Sequence, residues 1–111
     1  MALKRLRWLG TAQSAVRRFP PDARRDVGYQ LWRVQAGQDP SDWKAMAGVG
    51  PGVREIRVHA AGEFRVLYVA TRPEAVYVVH AFVKKSQQTR KLDLEVARAR
   101  LKELPRSGPE A

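Results

Sequence analysis

Three apolar runs fix most of what this chain can become: VREIRVH (53–59), FRVLYVA (64–70) and AVYVVHAFV (75–83). Each is rich in β-branched and aromatic residues and has the length of a strand. The links between them, AAGE and TRPE, suit hairpin turns, so the runs predict an antiparallel meander. Their faces follow from the two-residue period of a strand. On the first run Ile56 and Val58 share one face, and Glu55, Arg57 and His59 share the other. On the second, Phe64, Val66 and Tyr68 oppose Arg65, Leu67 and Val69. On the third, Val76, Val78, His80 and Phe82 oppose Tyr77, Val79 and Ala81. A sheet apolar on nearly both faces needs cover on both.

The flanking sequence supplies that cover. LKRLRWL (3–9) alternates apolar and basic residues and predicts a short edge strand. Ala12, Ala15, Val16 and Phe19 follow at helical spacing, with Thr11 as N-cap. Pro20–Pro21 stops this first helix, and Pro21 fits the first turn of a second. The second helix has Ala23, Val27, Leu31 and Val34 as its stripe, Gly28 for close packing and Gly37 as its stop. QDPSDWKAMAGVGPG (38–52) reads as a flexible loop, because no Gly-Lys-Ser/Thr follows to make it a phosphate cradle. TRKLDLEVARARLKELP (89–105) predicts a last helix, capped by Thr89 or Ser86 and buried along Leu94, Ala97, Leu101 and Leu104. Early Asp93 and Glu95 and late Arg100 and Lys102 match its dipole. The expectation is one α+β domain over 1–105, order β-α-α-β-β-β-α, with a helical hairpin on an antiparallel sheet. Residues 106–111 read as a disordered tail.

Composition narrows function. The 111 residues carry a net charge of +10, with nine Lys and Arg against four acids up to Gly50 and twelve against seven beyond it. Both halves are equally basic, so the charge belongs to the domain and favours a polyanionic partner, nucleic acid first. An acidic protein partner or a merely solvated surface stays open. The absence of cysteine excludes disulfides and thiolate chemistry, and His59 and His80 alone make no zinc site. No apolar run is long enough for a membrane span, and MALKRLRWLG lacks a signal-peptide core, so a cytoplasmic protein is expected.

The stretches LGTAQSAVRRFPPDARRDVGYQLWRVQAGQDPSDWKAM, GPGVREIRV, FRVLYVA and VYVVHAFVKKSQQT together resemble the phage-derived Gp49-like branch of the RelE/HigB/ParE toxin superfamily. The resemblance spans about Leu3 to Leu104, and WK…GVREIR and HAFVKK are its most specific parts. It implies a RelE-like fold and the toxin half of a type II toxin–antitoxin pair. The implied partners are a helix-turn-helix antitoxin of the HigA-like kind, forming a hetero-oligomer, and the ribosome with its mRNA. RelE- and HigB-like members cleave mRNA in the ribosomal A site, whereas ParE-like members inhibit DNA gyrase. A nucleic-acid-binding protein without toxicity is a third reading.

Cleavage by attack of a ribose 2′-hydroxyl on the adjacent phosphorus requires no metal or other cofactor. It requires in-line orientation, neutralised phosphate charge and two proton transfers. By resemblance Arg57, Arg65, Lys84 and Lys85 are the charge-neutralising candidates, expected to converge on one concave surface. Arg65 is expected to stand outside the core. Lys44 and Arg54 extend this cradle, and Thr89, Arg90 and Lys91 add RNA contacts. As alternatives, the arginines pair with Glu55 and Glu63 as sheet-edge charges, or the lysines guard a strand edge. His80 is the proton-transfer candidate, although a core histidine is the competing role; His59 stands closer to a strand end. Tyr68 reads as core, and Trp43 as an open base-stacking platform.

Overall fold

The structure, a computed structural model, describes residues 2–105. Its elements are β1 (Arg5–Trp8), α1 (Ala12–Arg17), α2 (Pro21–Gln35), β2 (Trp43–Ala45), β3 (Val53–His59), β4 (Glu63–Val69), β5 (Ala75–Val83) and α3 (Lys91–Leu101). The five strands form one sheet in the order β1-β5-β4-β3-β2. The meander β3–β4–β5 is antiparallel as its short links require. Two features depart from the sequence reading. Trp43–Ala45, taken as loop, pairs antiparallel with β3 and covers its outer edge. β1 lies parallel to β5, so the sheet is mixed rather than antiparallel. The α1–α2 hairpin carries the chain away from β1 over one face, leaving β1 to fill the open side of β5. The expected tail, 106–111, lies outside the described residues.

Each face of the sheet has its own core. Ala12, Val16, Phe19, Ala23, Val27, Leu31 and Val34 of the helical hairpin and its turn pack on Ile56, Val58, Phe64, Val66, Tyr68, Val76 and Val78. On the other face Leu67, Val69, Val79 and Phe82 meet Leu94, Ala97, Leu101 and Leu104. The predicted stripe of α2 is fully buried, whereas Ala15 in α1, and Leu94, Leu101 and Leu104 in and just beyond α3, are only partly so. A fully buried Leu or Val side chain contributes about 1.5–3 kcal/mol, so covering both faces is what lets so short a chain hold a sheet.

The helix ends differ from the cap expectations. Pro21 does occupy the first turn of α2. Gly37, at φ +84°, ends it, with Gln38 N–H donating to Arg33 O at 2.8 Å in a left-handed cap. Thr11 sits at the N-cap of α1 but makes no side-chain cap bond; its Oγ1 accepts from Arg100 instead. Arg90, not Thr89 or Ser86, is the N-cap of α3. Gly28 is solvent-exposed, and a Cβ there would meet nothing within 4 Å, so it serves no close packing.

β5 contains the decisive irregularity. Leu67 of β4 stands opposite His80, but the next residue, Tyr68, stands opposite Val78, so Val79 is an extra residue. This β-bulge reverses the alternation beyond it. Val76 and Val78 face the helical hairpin as expected, whereas His80 and Phe82 turn to the α3 face and Ala81 takes their place. The expected shared face of Val76, Val78, His80 and Phe82 is thus split in two.

Candidate functional site

Strand pairing on the α3 face sets out an ordered array of charge. Arg57, Arg65 and Phe82 lie opposite one another across β3, β4 and β5. One step along, the ladder places His59 opposite Glu63, and Lys84 N–H donates to Glu63 O at 2.8 Å. One step the other way lie Glu55, Leu67 and His80. Arg65 is not an exposed cation: only 6% of it is accessible. Its Nη1 donates to Glu63 Oε1 and to Phe64 O, both at 3.1 Å. Its Nε stands 3.7 Å from Glu55 Oε1, too far for a hydrogen bond, and has no other partner among the described residues. Glu55, 2% accessible, also receives Arg57 Nε at 3.3 Å. Paired strands on both sides and the flanking Glu55 and Glu63 leave this central arginine little route to solvent, which the alternation pattern alone does not reveal. Arg57, on the outer side of β4, keeps about a third of its side chain exposed.

Both imidazoles are held, but oppositely. His59 is exposed, with Nδ1 at 2.8 Å from a Glu63 oxygen and Nε2 at 2.8 Å from Asp42 Oδ2. Bonding to Asp42 first and Glu63 second raises its pKa above the usual histidine value. His80 lies at the bulge, largely buried, with Nε2 at 2.8 Å from Asp93 Oδ1 and Nδ1 at 3.4 Å from Arg100 Nη1. Burial lowers its pKa and outweighs the opposing pull of Asp93. The neutral tautomer with Nε2–H donating to Asp93 and Nδ1 accepting from Arg100 satisfies every partner. Burial alone would raise the Asp93 pKa, but the bonds from Arg90 and His80 together lower it. Arg100 further donates to Val79 O at 3.0 Å and Thr11 Oγ1 at 2.7 Å. Gly10 makes room for this, because a Cβ there would sit 2.5 Å from Arg100 Nε.

Lys84 and Lys85 leave β5 into a cleft of about 400 Å³ at the mouth of the strand. Arg18, from the end of α1, and Arg90 share its lining, with Phe19, Phe82 and Val83 as apolar wall. Arg57 and Arg65 do not line it, so the four cations expected to converge are divided between the sheet face and this cleft. Arg90 donates through Nε to Asp93 Oδ2 at 2.9 Å; Thr89 is half-buried and Lys91 exposed beside it. Lys44 is exposed and opposite Glu55 in register, on the same face as Arg57. Arg54 belongs to the other face. It bonds Asp39 at 2.9 Å and lies over the Trp43 ring at 4.0 Å, so that ring is already covered by a cation. Tyr68 is core, 1% accessible.

Three residues that matter to this region have no sequence signal as strong as HAFVKK. Arg18 follows Ala15 by one helical turn, which places it at the border of the buried stripe. Asp93 reads as a dipole acid, yet it is buried as the partner of His80. Arg100 reads as a dipole cation and instead ties α3 to β5 and the turn before α1. Among the described residues no group of three or more His, Asp or Glu is placed to hold a metal ion, and no helix is long and apolar enough to cross a membrane.

No curated protein matches the chain. A family model described as Phage derived protein Gp49-like (DUF891) matches residues 14–102. That match takes in most of the helical hairpin, the meander, the cationic strand mouth and the whole of α3. The match covers most of the chain, and the chain belongs to the phage-derived Gp49-like family.

Proposed function

We propose that this protein is the toxin of a type II toxin–antitoxin pair, with the RelE-like fold the family resemblance implies, and that it cleaves ribosome-bound mRNA in the cytoplasm. The observation that carries this reading is the concentration of accessible cations around one end of the sheet: Arg57 on its face and Arg18, Lys84 and Lys85 at the mouth of β5. Phosphate binding calls for such a group, whereas gyrase inhibition through protein contact does not. In the reaction the 2′-oxygen bonds to phosphorus as the 5′-oxygen leaves. The 2′-hydroxyl gives up one proton and the leaving oxygen gains one. Arg57 neutralises the charge that develops on the reacting phosphate, and Lys84, in the cleft, holds a flanking one. Arg65 acts indirectly, by fixing Glu55, the partner of Arg57, and Glu63, the partner of His59. Both nitrogens of His80 are spent inside the protein, so it carries no proton for the substrate. His59, two residues from Arg57 on the same face, is exposed, and it moves a proton by exchanging its bond to Asp42 or Glu63 for one to the substrate.

Expression alone is expected to arrest growth, and co-expression of a helix-turn-helix antitoxin to restore it. Primer extension on programmed ribosomes tests the chemistry. Folded Arg57→Ala should lose about 10²–10³ in cleavage rate, the usual effect of removing one charge-stabilising donor. Normal growth at high soluble expression, or wild-type cleavage by Arg57→Ala, counts against the reading.

A further inference from the structure

The outer edge of β5 plays no part in the array around Arg57. Lys84 N–H donates to Glu63 O directly opposite it, so Lys84, Phe82 and His80 turn their backbone groups toward β4. Ala81 and Val83 therefore turn theirs away. On that side β1 has already ended, its last bond running from Leu9 N–H to Val78 O at 2.9 Å. Ala81 C=O and Val83 N–H stand next to each other on this open edge, and no described residue outside the strand bonds to either. Across the cleft stand Ala15, Arg18 and Phe19, with Lys85 and Arg90 at the rim.

We propose that this cleft takes one nucleotide of a single-stranded RNA, its base edge paired to the Ala81–Val83 backbone couple and its phosphate on Arg18 and Lys85. This rests on the RNA reading above and adds a subsite on the far side of β5 from Arg57. An adjacent C=O and N–H form an acceptor–donor couple, which an unstacked base can meet with its Watson–Crick edge. Phe19 and Val83 supply apolar surface, and the two cations supply the complementary charge. The volume, about 400 Å³, lies in the range of small-ligand sites. An extended peptide fits the edge less well. Between the end of β1 and Lys84 only a few residues of β5 are open, and the end of α1 stands opposite them.

Amide NMR of the full chain, titrated with a short single-stranded RNA at low salt, tests the assignment. The Ala81 and Val83 amides are expected to shift. Arg18→Ala, an exposed change, should weaken binding about tenfold and lower the salt slope by about one. Val83→Pro removes the outward N–H without touching the β4 ladder and should weaken it similarly. Shifts confined to the Arg57 face, with Arg18→Ala binding like wild type, overturn the proposal. So does an Asp/Glu-rich peptide that moves the Ala81 and Val83 amides when RNA does not. Ribosomal cleavage is read separately by primer extension, so failure of the toxin reading and failure of this subsite are distinguishable.

Discussion

Arg65 and His80 show how far a residue's chemistry depends on what surrounds it. Arg65 is a buried strut between Glu55 and Glu63. Its removal leaves Glu55 buried with Arg57 alone. Arg65→Ala is therefore expected to cost about 3 kcal/mol, as for a broken buried ion pair, and to lower the urea midpoint clearly. Arg65→Met, which keeps the stem, separates lost packing from lost charge. The two histidines give a pH signature of opposite sign. His80 has a folded pKa below its unfolded value near 6.5, so its contribution is intact above about pH 6.5 and is lost as pH falls toward the folded value. His59 has a raised folded pKa, so its contribution is full below about pH 6.5 and is lost as pH rises through the folded value. Urea unfolding at several pH values between about 5 and 7.5 checks this. Acidification should destabilise His59→Gln more steeply than wild type, and His80→Gln less.

At the scale of elements, the bulge in β5 and the helix α3 form one device. The extra residue Val79 turns His80 toward α3, where it meets Asp93, and Arg100 closes the loop by donating to the bulged Val79 carbonyl. The position of Lys84 and Lys85 follows from that reversal, since they continue the strand beyond it. α2 offers the opposite case, an element with a flaw that nothing requires. Gly28 sits exposed in its middle with open space where a Cβ would go. Gly28→Ala should stabilise the protein by about 0.5–1 kcal/mol by removing backbone freedom from the unfolded chain. Thermal melting reads this directly, and a lowered midpoint contradicts the account.

Across the whole molecule, the net charge of +10 is spread over a sheet whose two faces are both closed by helices. The accessible cations include Arg57 and Lys44 on the α3 face as well as Arg18, Lys84 and Lys85 at the mouth of β5. If four to six of them contact phosphate, RNA affinity should fall by roughly two to three orders of magnitude between about 50 and 200 mM salt. A flat response in a fluorescence anisotropy titration would return the excess charge to solvent.

Periodicity and link length are local properties, so the meander, the apolar stripes of three helices and the need for cover on both faces were legible in the sequence. It also determined that Lys84 and Lys85 end an apolar strand. It left β2 unread, since three residues of strand gain their identity only from the edge they pair with. The parallel seat of β1 depends likewise on where the helical hairpin delivers the chain. Only tertiary structure decided the side on which His80 lies, because one inserted residue reverses a two-residue period and leaves no trace in composition. Nor does the sequence separate buried Arg65 from Arg57, about a third exposed, since the two stand opposite each other in neighbouring strands. Burial belongs to a strand's neighbours: Arg65 lies between Arg57 and Phe82 of paired strands, whereas the β2 ladder beside β3 begins only at Ile56.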